Sequence, residues 1–207
     1  MDFLLEKVKM KSLFTFLVLS LSINASAARM NYSSVQKEAK IIIQDEFSSL
    51  ADYNISDIKN VCPSYDSFSQ DERETFFSHL VASITNFESS YNPNTTFGEN
   101  NGNTSTGLLQ ISPKSISKLY KNNGCKGATS VEALKDSKTN IRCGLAIMKT
   151  WIAKDQVLSS GNKGAARYWS TLRTPYKVYI ASVKKTVTVG KLKQVSSLLQ
   201  KNFPSCK

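Results

Sequence analysis

Phe77, Val81, Ile84 and Glu88 follow one another at spacings of four, three and four, so a carboxylate ends an otherwise apolar helical stripe. Burial disfavours the charged form of an acid, and the open carbonyls at a helix C-terminus disfavour negative charge further. Both effects raise the pKa, and a carboxyl that stays protonated near neutral pH can donate a proton to a leaving oxygen. The alternative is that Glu88, at the end of its helix, turns out to solvent. A second acid, Glu99, stands in the polar stretch that follows, either within reach of Glu88 or as a solvated loop charge. His79 is the only histidine and no CxxC pair occurs, so neither a metal nor a cofactor is expected, and His79 is expected on the surface.

The element that must carry Glu88 has a clear start. Ser69 and Glu72 have the spacing of a capping box, and Phe77, Leu80, Val81, Ile84 and Phe87 continue at helical intervals. The helix should end near Ser89 and Ser90, because Asn92 precedes Pro93 and is biased away from helical geometry. From Asn92 to Thr106 the chain turns to Asn, Thr and Gly without an aliphatic residue, which reads as a long surface loop. Before this, Val35, Ala39, Ile42, Ile43 and Phe47 predict an amphipathic helix over Ser33 to Leu50. After it, Ser112-Pro113 marks a helix start with Ile116, Leu119 and Tyr120 inward. A turn follows at residues 124 to 127, then a long helix from about Thr139 to Lys154 with Ile141, Leu145, Met148 and Ile152 as its stripe. Gly161 to Gly164 breaks the chain before a short helix over Ala165 to Leu172. Val183 to Val189 is β-branched and predicts a strand, and Leu192, Val195, Leu198 and Leu199 predict a terminal helix. The whole is mainly α, without repeats.

The chain begins with a segment to be set aside from fold reasoning. Lys7, Lys9 and Lys11 precede an apolar run from Leu13 to Leu21, and Ala25-Ser26-Ala27 has the small-x-small form of a signal-peptidase site, so residues 1–27 read as a signal peptide. The apolar run is too short to span a bilayer, and no stable membrane insertion is expected. Met10 would serve equally well as a start. Residues 28–207 then form one domain of 180 residues with 24 basic and 14 acidic side chains, a net charge of +10. Such an excess attracts polyanions. The basic residues are scattered without interleaved aromatics, so nucleic acid is not indicated, and export favours the carboxylate-bearing polymers of a cell wall. Four cysteines remain in a disulfide-permissive compartment, and three pairings are open. The favoured one joins Cys125 to Cys143 and Cys62 to Cys206.

Glu88-Ser89-Ser90-Tyr91-Asn92-Pro93, followed by Gly107-Leu108-Leu109-Gln110-Ile111, resembles the lytic transglycosylase and goose-type lysozyme superfamily. A third matching element is Asn140, Ile141 and Gly144, and a fourth falls on Tyr168, so the resemblance spans about residues 76 to 169. It implies a lysozyme-like single domain with a deep substrate cleft, acting as a monomer on peptidoglycan glycan strands in the periplasm or outside the cell. It also implies that Glu88 is the catalytic acid and base, and that the Gly107, Leu108 and Gln110 motif lines the sugar cleft.

Further residues acquire expected roles from this likeness. Gly107 would let the backbone approach the substrate, Gln110 offers donor and acceptor groups, and Thr106 could hydrogen-bond Glu88. Tyr168 resembles the tyrosine that orients the acid, Asn140 is a cleft residue or a helix cap, and Tyr91 stacks on a sugar or covers the helix end. Trp151 reads as core. Leu109 stands where Met is usual, and Trp169 where Asn is usual, which leaves recognition of the N-acetyl groups open and makes a de-N-acetylated glycan a candidate substrate. With one acid the product would be a 1,6-anhydro sugar. With Glu99 activating water the enzyme would be a hydrolytic lysozyme. A non-catalytic wall-binding protein and a membrane-active toxin are the readings from other classes, and no pronounced basic amphipathic helix supports the toxin.

Overall fold

The computed structural model describes residues 28–99, 102–116, 118–180 and 184–207. The expected leader, the side chain of Leu119 and the first residue of the expected strand, Val183, lie outside the described residues. The first element, α1 (Tyr32–Ile42), is capped by Asn31, whose side chain accepts from the Ser34 backbone. It runs on through a π turn (Ile43–Phe47) and a 3-10 turn (Ser48–Asp52) rather than as one helix. The change of pitch keeps Ile42, Ile43, Phe47 and Leu50 all buried.

The central helix α2 (Gln70–Ser89) starts with the expected box, in which Ser69 and Glu72 satisfy each other's backbone N–H groups. Phe76, Phe77, Leu80, Val81 and Ile84 are wholly buried. The helix ends at Ser90, whose φ of 51° is left-handed, and Tyr91 follows at 63°. The second long helix, α4 (Ser137–Asp155), packs on α1 and is capped by Asp136, with Ile141, Leu145, Met148 and Ile152 buried as their spacing predicts. The short α3 (Lys118–Asn122) follows a 3-10 turn at Pro113–Ser115, so Pro113 opens one turn and not a continuous helix. Ile116 and Tyr120 are buried. The last helix, α5 (Leu192–Asn202), returns to pack on α2.

Two small hairpins complete the chain. Within the expected surface loop, β1 (Thr96–Gly98) pairs antiparallel with β2 (Thr104–Thr106), with Gly102 in the turn at φ 73°. The expected late strand is β4 (Lys185–Val189), and its partner β3 (Tyr176–Ile180) was not anticipated. The expected short helix over Ala165 to Leu172 is two 3-10 turns, Gly164–Arg167 and Ser170–Leu172, broken at Tyr168 and Trp169. Among the described residues, no helix is long and apolar enough to cross a membrane.

Both disulfides form as the favoured pairing has them, Cys62–Cys206 and Cys125–Cys143. His79 departs from expectation. It is half-buried, its ring lies parallel to that of Phe203 with centroids 5.0 Å apart, and Tyr32 Oη meets its Nδ1 at 3.0 Å. Its pKa is pushed down to about 4 by burial, so the imidazole is neutral and acts as a packing aromatic at the seam between α1, α2 and the C-terminal tail.

Candidate functional site

The end of α2 is tied to the Gly107-Leu108-Leu109-Gln110 segment by side chains of the residues around Glu88. Ser89 Oγ donates to the Leu108 carbonyl at 2.9 Å, and Thr95 Oγ1 to the Ser89 carbonyl at 3.4 Å. The segment itself is a tight loop. Thr106 and Ile111 exchange two backbone hydrogen bonds of 2.9 Å across its base, with Gly107 at φ 80° and Gln110 at φ 48°. Gln110 Nε2 donates inward to the Thr95 and Gly107 carbonyls, at 3.1 and 2.8 Å.

Asn140 is neither a helix cap nor a cleft residue, because it is fully buried beneath this loop. Its Oδ1 accepts from the Leu109 amide at 2.8 Å, and its Nδ2 donates to the carbonyls of Thr106 and Leu134 at 2.9 Å each. A buried amide with three partners fixes the loop, since each backbone group would otherwise be stranded. The glycine at 107 is required by the same contact. A Cβ there would collide with the Asn140 side chain and the Leu134 carbonyl, so its bareness serves internal packing, whereas a close approach of substrate was expected. Gly144 on α4 likewise leaves room for the Leu109 side chain. Gly107→Ala is expected to cost about 3 kcal/mol through overpacking and the positive φ, lowering the melting temperature by ~6–12 °C. Unchanged melting would remove the Asn140 contact as the reason for the glycine.

Above the loop lies a cleft of about 720 Å³ whose walls include Glu88, Glu99, Gln110, Tyr168 and Arg167. Glu88 is half-buried, and its Oε1 accepts from Thr171 Oγ1 at 2.5 Å. Burial pushes its pKa up, opposed by the Thr171 hydrogen bond and by the positive charge of Lys191, which also sits 5.2 Å from the centre of the Phe87 ring. Desolvation wins, so the carboxyl favours its protonated form more than a free glutamate does. Glu99 closes the β1–β2 turn, where it accepts from Ser105 Oγ at 2.5 Å and Asn103 Nδ2 at 3.4 Å. Both carboxylates therefore face one cavity.

The other expected residues are distributed around this cavity or behind it. Thr106 is buried and its hydroxyl donates to the Thr104 carbonyl at 3.5 Å, so the hydroxyl that reaches Glu88 belongs to Thr171. Tyr168 lies on the cleft wall, its hydroxyl accepting from the Ser112 amide at 3.3 Å and its pKa pushed up to about 12 by burial. Leu108 is buried behind the cleft, and Tyr91 packs edge-on against Tyr32 with centroids 6.5 Å apart. Trp169 is buried with its Nε1 donating to the Leu109 carbonyl at 2.9 Å, which makes it a brace for the loop. Trp151 is half-buried and lines a separate groove of about 640 Å³ beside Phe47 and Tyr53. Thr171, Lys191 and Arg167 were missed. All three sit in irregular segments or at element ends, where no periodic signal marks them.

The transglycosylase SLT domain family matches residues 67–182, which include Glu88, Glu99, Gln110 and Tyr168 of the cleft wall. Membrane-bound lytic murein transglycosylase E of Buchnera aphidicola subsp. Acyrthosiphon pisum is 37% identical over 90 residues, 43% of this chain and 38% of that protein. The chain thus spans well under half the length of that relative. Among solved structures, Bd0314 DslA in its wild-type form 2 superposes with a TM-score of 0.67 at 28% identity, covering 84% of this chain and 92% of that one. Two Glu-to-Gln variants of DslA match with TM-scores of 0.66 and 0.67, at 28% and 27% identity and the same coverage. Their substituted glutamates are eleven residues apart, as Glu88 and Glu99 are here. With a mainly helical lysozyme-like fold and a matched segment covering more than half of its length, the chain belongs to the transglycosylase SLT domain family.

Proposed function

We propose that this protein cleaves the β-1,4 bond between N-acetylmuramic acid and N-acetylglucosamine in peptidoglycan, with Glu88 as general acid and a 1,6-anhydro sugar as product. The observation that carries the reading is the half-buried Glu88 carboxyl, pushed toward its protonated form and aimed into the cleft of a transglycosylase-family domain. Thr171 donates to Oε1, so the acidic proton resides on Oε2 and faces the glycosidic oxygen. Proton transfer to that oxygen breaks the C–O bond as positive charge develops on the departing sugar. Glu88, now ionised and steadied by Thr171 and Lys191, takes the proton of the sugar's own 6-hydroxyl, whose oxygen closes the anhydro ring. One carboxyl is then restored to its starting state. Export agrees with the leader-like N-terminus and with two disulfides, which persist outside the reducing cytosol.

A hydrolytic second reading has a specific observation in its favour: Glu99 lines the same cleft, at the sequence interval that separates the substituted glutamates of DslA. In that reading Glu99 accepts a proton from water, which adds to the sugar in place of its 6-hydroxyl. Mass spectrometry of the released fragments separates the two. The first reading expects muramic ends lighter by one water and a Glu99→Gln variant that retains its turnover. Reducing ends, with turnover of Glu99→Gln reduced about 10²–10⁴-fold, would assign the base to Glu99 and displace the non-hydrolytic reading.

A further inference from the structure

The β3–β4 hairpin is not part of the cleft, yet both of its ends are fastened to the partners of Glu88. Thr171 precedes β3 by a few residues, and Lys191 follows β4. Across the base of the hairpin the Lys191 amide donates to the Thr171 carbonyl at 2.9 Å and the Leu192 amide to the Arg173 carbonyl at 3.2 Å. Gly190, at φ 90°, packs so closely on Arg173 and Thr174 that a Cβ would strike their carbonyls. The arm is therefore rooted at the cleft rim, and at about 3.4 Å per residue its five-residue strands reach ~17 Å from that root.

Its two faces differ. Tyr176, Val178 and Ile180 alternate onto one side with Val189, Val187 and the exposed Lys185 opposite, and the valines there are half-buried. The other side carries Lys177 across from Thr188 and Tyr179 across from Thr186, and all four are exposed, Tyr179 at 62%. From Arg173 to Lys193 the chain has six cationic side chains and no acidic one. An exposed ring flanked by hydroxyls and an ammonium is poorly suited to a hydrocarbon surface. It is well suited to a polymer that alternates sugar faces with carboxylates.

We propose that the Lys177, Tyr179, Thr186 and Thr188 face of this hairpin is a second docking surface for the peptidoglycan strand held in the cleft. Tyr179 lies against a sugar face and Lys177 pairs with a stem-peptide carboxylate. The inference rests on the peptidoglycan reading for the identity of the polymer, but it concerns binding and not cleavage. The test is co-sedimentation with purified insoluble sacculi, run in a Glu88→Gln background so that the polymer is not consumed. Lys177→Ser with Tyr179→Ser is expected to weaken sacculus binding about tenfold, as the loss of one exposed charge contact and one aromatic contact would. High salt should shrink the difference, and Lys177→Arg with Tyr179→Phe should restore binding.

Melting temperature monitors the fold of each variant, since both positions are exposed. Unchanged sacculus binding by the serine pair overturns the proposal. Weakened binding to phosphatidylglycerol vesicles, with sacculus binding intact, also overturns it and assigns the face to lipid. A wild-type protein that binds sacculi through this arm but releases no soluble fragments upholds the docking surface and removes the enzymatic reading instead.

Discussion

Replacing Glu88 by glutamine is expected to lower peptidoglycan turnover by about 10²–10⁴-fold, the contribution of a positioned general acid, while the protein stays folded. A gel of embedded peptidoglycan reads this directly, and equal clearing by wild type and Glu88→Gln would remove Glu88 from the reaction. The stability of the same pair provides a second check. The folded-state pKa of Glu88 is raised above its unfolded value by burial, so its contribution to stability is full below the unfolded pKa and is lost as pH rises through the folded one. Glutamine has no such dependence. The variant should therefore gain on the wild type in melting temperature as pH rises from the unfolded glutamate pKa through the raised folded one, and a constant difference would mean that the carboxyl is not desolvated. Thr171→Val removes a hydrogen bond that favours the ionised acid, so the alkaline limb of the rate profile should move to higher pH.

Removing the Cys62–Cys206 bridge is expected to be the most destabilising single change outside the site. The bridge closes a loop of 144 residues, which on the chain-entropy argument stabilises by about 5 kcal/mol, whereas the 18-residue loop of Cys125–Cys143 gives about 3 kcal/mol. Paired alanine substitutions should lower the melting temperature by ~10–20 °C for the first bridge and less for the second. The reverse order would show that local packing outweighs loop closure. The larger effect follows from what the bridge joins. Cys62 lies just before α2 and Cys206 just after α5, and these two helices pack on one another, with Phe68 and His79 covering Phe203.

The parts of the molecule legible from sequence are those in which one element carries its own signal. The Ser69–Glu72 box and the stripe ending at Glu88 define α2 locally, and the stripe of α4 does the same. The spacing of Asn140 from the Gly107 loop could be matched to a family but not understood. That the amide is buried, and that the glycine makes room for it, depends on α4 crossing beneath the loop. Thr171 was out of reach for the same reason. It stands in a three-residue 3-10 turn, and it is significant only because folding brings it to Glu88. β3 was hidden by its lysine and by the preceding Pro175, and it became a strand through pairing with β4. His79 looked like a solvated residue on a helix face until the C-terminal tail was laid over it.

The hydrogen bond between Thr171 and Glu88 spans 83 positions of the chain. The hydroxyl that meets the acid does not reach it until the C-terminal third of the polypeptide has docked on α2. A nascent or still-threading chain carries Glu88 as an ordinary glutamate in water, without a proton to give at neutral pH. On the proposed reading of Glu88, a chain whose C-terminal third has not yet docked on α2 lacks the hydrogen bond that orients its acid.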